Sequence, residues 1–501
     1  MRVGGLATGM DIESMVNKLM DAERIPYNKL MQDRTKLTWK QDAFRDLNKS
    51  LLELDNMVLD MKLSKTYNPK KVSSTQENAV TATPTSNSGD RSYRIEVKEL
   101  ASSAINISQN TVTGIDEKLD EMYVGTHTYQ TYNEDGKETT THKIEIKEGD
   151  TLRDALKKIN DDDSPVRAFY DESSQKVIME TTRTGKYNPK EKPEGTDGPK
   201  PPEILFKAEE GSAQGNFFTD VLHLDSTKEK GGEDAVFTYN GEQFTSKDNS
   251  YELDGTTFHF HNVTNGVANL SVTTDEDAIF DSIVKFVDKY NEVVEKFNDT
   301  QQEKRYRDFP PLTDEQKKEM SEDEIKQWEE KAQSGILKGE SIVSNGLFNM
   351  RNSWYGTVSN DKGFSSITEI GITTSNRYLD GGKLEIDEDK LRKAISENPE
   401  GVQSLLSKSS DGADQGIINR LDDQIDQISK NINNRAGKGS STLETHSLGK
   451  RVKEINKRIS DFELRLTNVE TRYWNQFTQM EKAIQRMNDQ SAQLFSQFGG
   501  M

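Results

Sequence analysis

The sequence predicts a multidomain α+β chain. Its N- and C-terminal helices pair as a coiled coil or helical bundle, forming legs, and β-rich modules are inserted between them. Three observations carry this. Apolar residues at both ends recur three and four apart, the period of a helical seam. Between about residues 70 and 275 the period drops to two, the signature of half-buried strands. Apolar side chains make up only 32 % of 501 residues, and the 34 Gly bring this to about 39 %, against roughly 45–50 % in compact chains. Several small cores and long, narrow-striped helices fit that composition better than one large core.

The elements follow in order. Gly4, Gly5 and Gly9 open the chain, and Asp11 is placed to cap a helix whose stripe is Ile12, Met15, Val16, Leu19 and Met20. Pro26 is expected to stop or kink it. A longer helix then runs to about Lys65 with Leu30, Leu37 and Phe44 at sevens and Phe44, Leu47, Leu51, Leu54, Val58 and Met61 at threes and fours. SYRIEVKEL (Ser92–Leu100) alternates as a strand, and HKIEIKEGDTLRDALKKIN (His142–Asn160) reads as strand, turn and short helix. VRAFYDESSQKVIMETT reads as a hairpin with Val166, Ala168 and Tyr170 opposite Val177 and Met179. The Pro/Gly/Lys tract Gly185–Glu203 is expected to be a surface loop. Asn240-Gly241 and Asp254-Gly255 mark tight hairpin turns.

Helix returns at Asp277, with Ile279, Ile283, Phe286, Tyr290, Val293 and Phe297 on one face. Pro310–Gly335 is very polar and helical only in short pieces. A strand near Tyr378–Asp387 precedes a helix that breaks at Asn398-Pro399. Ile418, Leu421, Ile425, Ile428 and Ile432 form another seam. The terminal helix holds the longest alternation, Leu448, Val452, Ile455, Ile459, Phe462, Leu466, Val469 and Tyr473. Phe477 comes four residues later, a stutter that locally unwinds a left-handed supercoil, and Met480, Ile484 and Met487 resume the pattern. From Leu448 to Phe498 is about 75 Å of helix. Such a rod needs a partner of comparable length.

The expected domains are a leg segment at 1–42; a bundle of 43–69 plus 276–445, with a small strand element near 364–387; a β-rich head at 70–275; and a terminal coiled-coil leg at 446–501. Within the head, about 70–120 plus 233–275 form one module, and 121–232 is inserted as another. The candidate assembly residues are Phe44, Leu47, Leu51, Leu54, Val58 and Met61 on the first helix, and Ile455, Ile459, Phe462, Leu466, Val469, Tyr473, Phe477, Met480, Ile484 and Met487 on the last.

Charge and composition narrow the function. A net charge of −20 argues against nucleic acid and against an anionic membrane surface as partners. The absence of cysteine excludes disulfides and thiol chemistry. No apolar run reaches the ~18–20 residues of a membrane span, and the N-terminus lacks the apolar segment of a cleavable signal. His259 and His261 share a strand face, but no third ligand stands at diagnostic spacing, so they read as solvent-facing neighbours of inward Phe258 and Phe260. No phosphate loop, nucleophile elbow or dinucleotide fingerprint is present. No enzyme, cofactor or metal site is therefore expected.

Specific stretches carry a resemblance. GLATGMDIESMVNKLMDAERIPYNKL (Gly5–Leu30), VKELASSA (Val97–Ala104), GDTLRDALKKIN, GITTSNRYLDGGKLEIDEDKLRKAISENPEGVQSLL and RYWNQFTQMEKAIQRMNDQSAQL together resemble the bacterial flagellar filament cap family, the flagellar hook-associated protein 2 family. Ile370 stands before Gly371 where the family often has Leu. The acidic tract after Pro310 is similar to versions in Gram-positive and related bacteria. The resemblance implies a non-enzymatic assembly factor at the distal filament tip. It would form a homo-oligomeric ring, commonly of five subunits, that retains exported flagellin and promotes its folding and polymerisation. It further implies contact with flagellin and the hook–filament junction protein, an export chaperone on the C-terminal helix, and secretion by the flagellar type III route without a cleavable signal. Two other readings remain at this stage: another axial protein, flagellin-like or at the hook–filament junction, and a surface adhesin role for the head.

Overall fold

The computed structural model describes residues 11–86, 88–190, 201–206, 216–359, 361–410 and 412–498. Gly4, Gly5, Gly9 and most of the Pro/Gly/Lys tract lie outside the described residues. The chain divides into two compact units. One joins the chain up to Asn68 with the chain from Glu276 onward, and the other spans Pro69–Asp275.

The first unit begins with α1 (Ile12–Lys62), capped by Asp11, whose Oδ1 accepts from Ser14 N at 3.0 Å. The helix is not stopped at Pro26 but continues through it. Pro26 is exposed, so its missing N–H falls on the solvent side, while buried Met20 and Leu30 hold the helix on either flank. A single turn, α2 (Ser64–Tyr67), leads out of this unit.

The second unit contains two modules. Its elements are β1 (Lys70–Ser74), β2 (Val80–Pro84), β3 (Arg91–Glu99), β4 (Ser103–Ile107), β5 (Gly125–Tyr132), β6 (Thr139–Ile146), α3 (Leu152–Asp161), β7 (Val166–Asp171), β8 (Lys176–Thr184), β9 (Ile204–Leu205), β10 (Ala235–Tyr239), β11 (Glu242–Ser246), β12 (Ser250–Leu253), β13 (Thr256–Phe260) and β14 (Ala268–Thr274). One module stacks an antiparallel sheet of order β1-β14-β3-β10-β11 on a β12-β13-β2 sheet. Its core contains Tyr93, Ile95, Val97, Phe237, Phe258 and Val272. Asn240 and Gly241, and again Asp254 and Gly255, all have positive φ, as a two-residue hairpin turn requires.

The other module holds sheets β4-β8-β7 and β6-β5-β9 with α3 packed beside them, around Tyr129, Ile144, Leu156, Met179, Phe217 and Phe218. Ala168 pairs with Met179 and Tyr170 with Val177, the hairpin register read from the sequence. The boundary between modules differs from the expected one. β4 pairs with β8, and Val112 lies in the second core, so the inserted module starts near Ser103 and not near residue 121. The apolar alternation of β3 stops at Val97, which frees the chain to cross before β4.

From Glu276 the chain re-enters the first unit as α4 (Glu276–Gln302), α5 (Asp314–Lys318), α6 (Glu322–Gln333) and α7 (Ser341–Tyr355). A β15–β16 pair follows (Ile372–Thr374, Leu384–Ile386), then α8 (Glu388–Glu397), α9 (Pro399–Ser407), α10 (Ile417–Ala436) and α11 (Ser447–Phe498). Asn398 separates α8 from α9 by capping the latter, its side chain accepting from Gly401 N at 2.9 Å. The second half of α1 packs with α4 and α10, and α7 packs on both of these, around one continuous core.

Candidate assembly surfaces

The sixteen candidate residues separate into three groups. Phe44, Leu47, Leu51, Leu54, Val58 and Met61 are 0–3 % exposed and lie in the bundle core beside Ile283, Tyr290, Met350 and Ile425. Their seam is satisfied chiefly by α4 and α10, and Leu448 at the start of α11 joins the same core.

The second group forms the leg pair. Ile12, Val16 and Met20 of α1 close a small core with Val469 of α11, and Met15, Leu466, Tyr473, Trp474 and Phe477 pack against it. Polar contacts fix an antiparallel register: Tyr473 Oη donates to Glu23 Oε1 at 3.1 Å, Tyr27 Oη donates to Glu463 Oε1 at 2.9 Å, and Gln41 Nε2 meets His446 at 2.9 Å. Burial, with the Glu463 carboxylate adding to it, pushes the Tyr27 phenol up. Ile459 is buried, while Ile455 and Phe462 are half-buried.

The third group is Met480, Ile484 and Met487. The antiparallel register carries α11 past Ile12 from about Phe477 onward, so these side chains lie beyond the described part of α1. Ile484 is half-buried, and Met480 and Met487 are 37 % and 61 % exposed. Leu494 and Phe495 extend the stripe at 54 % and 79 % exposed. An apolar stripe of this length at the end of a rod can associate with a helix or groove of another chain.

Where α1 meets the start of α11, a polar lock closes the bundle. Gln41 Nε2 donates to Ala436 O at 2.9 Å and also contacts His446 Nε2. A Cβ at Gly437 or Gly449 would come within 2.5 Å or 2.6 Å of the His446 ring. Burial and the nearby Arg45 charge hold His446 below the usual imidazole range.

Sequence reasoning missed Trp474, which packs beside Tyr473 but falls outside the heptad count. It also missed Tyr27 and Glu463, whose contact spans 436 positions and leaves no local signal. In the β-rich unit, His259 and His261 meet Thr83 and Thr81 at 3.0 and 2.9 Å. Among the described residues no group of three or more metal-ligating side chains is assembled, and no helix is long and apolar enough to cross a membrane.

Comparison with known proteins yields three matches to family models. Residues 8–104 match the flagellar hook-associated protein 2 N-terminus, 232–489 match its C-terminus, and 132–182 match a flagellin hook IN motif. The flagellar hook-associated protein 2 of Halalkalibacterium halodurans is 34 % identical over 539 residues, covering 99 % of both chains. The A-type flagellar hook-associated protein 2 of Pseudomonas aeruginosa is 24 % identical, covering 98 % of this chain and 96 % of that one. Among solved structures, the D1-D2-D3 domains of the Escherichia coli flagellar cap protein FliD match with a TM-score of 0.54 at 18 % identity, covering 79 % of this chain and 96 % of that one, a likeness of fold.

Proposed function

Because the chain belongs to the flagellar hook-associated protein 2 family, we propose that it caps the distal end of the bacterial flagellar filament, retaining exported flagellin and promoting its folding and polymerisation there. It is a structural protein of an oligomeric assembly, not a catalyst. The observation that carries the reading is the leg pair. Its own core is small, and the α11 stripe continues beyond it with Met480, Met487, Leu494 and Phe495 exposed.

A leg of this kind can grip and release. Phe477, Met480, Ile484 and Met487 form the exchangeable surface that docks on the newest filament subunits. Most single contacts of such a surface cost little when truncated, so the grip can reset as the filament lengthens. Before export the same stripe would aggregate if left bare, so an export chaperone shields it. The β-rich unit supplies the plate of the cap. Subunits join in a homo-oligomeric ring, commonly of five in the family, seated first on the hook–filament junction protein. Export follows the flagellar type III route.

The test is the full-length I484D/M487D variant in a cap-null strain. Swimming should be lost and flagellin monomer should accumulate in the medium, while the purified variant keeps its β-sheet circular dichroism. Normal swimming would remove the proposed role of the stripe.

A further inference from the structure

The excursion between α4 and α7 folds back along the first half of α1 and the start of α11. Glu315 pairs with Arg24 at 3.4 Å, and Glu340 pairs with Lys40. Between these elements lies a groove of about 780 Å³. Leu37, Ile336 and Ile455 give it an apolar floor, and Lys36, Arg305, Arg307, Arg451 and Arg458 stand around it.

The charges are unbalanced. Among the described residues none of those five cations has an ion pair. The two acids lining the groove are already engaged, Asp33 with Lys29 at 3.4 Å and Glu340 with both Lys40 and Arg435. Burial and the charges of Lys29 and Arg305 hold Lys36 below the usual ammonium range. In a chain of net charge −20, an unneutralised basic groove is a local exception that favours an acidic occupant.

The same excursion carries the complementary feature. Glu322 and Asp323 form the exposed first turn of α6, with Glu319 just before it, and none of the three has an ion pair among the described residues. Glu324 is occupied by its capping box with Ser321, and Lys318 and Lys326 are the cations beside this turn. Ala332, at the other end of α6, lines the groove. Ten residues of helix hold the acidic turn about 15 Å from its own groove.

We propose that the acidic first turn of α6 docks in this basic groove of a neighbouring copy, making a head-to-tail contact between the subunits' helical units. Knob and groove are different patches of one chain, so the contact is heterologous and can repeat around a closed ring. The carboxylates of Glu322 and Asp323 meet Arg451, Arg458 and Lys36, and the apolar floor receives Ile325. This inference rests on the reading of the chain as an oligomeric cap.

The absence of cysteine makes a direct test available. Two full-length singly substituted chains, D323C and R458C, are mixed, assembled and mildly oxidised. A D323C–R458C disulfide should form, and pairing D323C with K393C, outside the groove, should give none. In a second measurement, R451E/R458E and E322K/D323K should each weaken sedimentation-detected assembly on the order of tenfold. Combining all four changes in one chain should restore it. Assembly without the crosslink, or charge reversals without effect, would overturn the contact while leaving the cap reading intact. Should the unmodified chain never self-associate, both would fall. If R451E/R458E alone stops filament growth while E322K/D323K does not, the groove receives a different protein and the proposal is wrong.

Discussion

Tyr473 donates its hydroxyl to the Glu23 carboxylate at 3.1 Å, joining positions 450 residues apart at the two extremes of the chain. The bond seals a leg core that, among the described residues, buries Ile12, Val16, Met20 and Val469. Such a core is easily opened. An unpaired carboxylate introduced by V469D costs roughly 3 kcal/mol, a substantial share of what so small a core contributes. Amide exchange should speed up across residues 12–30 and 455–477, while the bundle core around Phe44–Met61 stays protected. Y473F should lose only about 1 kcal/mol, since the ring stays packed. Equal loss of protection in legs and bundle would show that they are one cooperative element.

How much of this could be read beforehand depends on the range of the signal. The leg stripe, the hairpin register at Ala168–Met179 and the helix break at Asn398-Pro399 were legible because each is written in neighbouring residues. The individual partners of Phe44–Met61 were not. A heptad seam states that a helix wants a partner but does not say which one, and within the bundle α4 and α10 supply it. The start of the inserted module was hidden similarly: the short strand Ser103–Ile107 carries no mark of whether β3 or β8 is its neighbour. The basic groove is drawn from three distant segments, so no single stretch of sequence announces it.

Stability of the β-rich unit should fall as pH rises from mildly acidic toward neutral. Glu229 is 2 % exposed, and burial pushes its carboxyl up to about 7, even though it accepts N–H bonds from Glu203 at 2.5 Å and Ile204 at 3.2 Å. Burial also raises Glu203, so the pair resists a second negative charge. An acid raised in the folded state carries no penalty below its unfolded value of 4.5. The penalty grows between about 4.5 and 7 and is complete above, on the order of 3 kcal/mol. Thermal melts of the β-sheet signal should fall from pH 5 to pH 8, and E229Q should flatten the profile. A midpoint that rises over this interval would contradict the assignment.

Gly232 marks a close approach of backbone to backbone. A Cβ there would stand 2.2 Å from Gly185 O and 3.1 Å from Glu203 Oε1. Since the obstacle is main chain, no side-chain rotation relieves it, and G232A should destabilise the β-rich unit by about 3 kcal/mol. Gly439, whose Cβ would meet nothing within 4 Å, is the matched control, and G439A should change stability by less than about 0.5 kcal/mol. Denaturant midpoints of the two variants measure the difference directly.

The lock at His446 predicts the opposite pH sense in the helical unit. Gln41 gives one amide hydrogen to Ala436 O, leaving its second for His446 Nε2, so that nitrogen must be the unprotonated acceptor. Protonation would replace this bond with a donor facing a donor, close to the Arg45 guanidinium that already disfavours charge there. A base whose folded value is depressed contributes stability above its unfolded value of 6.5 and loses it as pH falls. Between pH 7.5 and 5, amides of 436–450 should therefore lose protection, and the α11 leg should detach from the bundle before the bundle melts. H446Q should remove the pH dependence at the cost of about 1 kcal/mol at pH 7.5. If protection of 436–450 stays constant through pH 5 in the unmodified chain, the imidazole is not the acceptor that closes this joint.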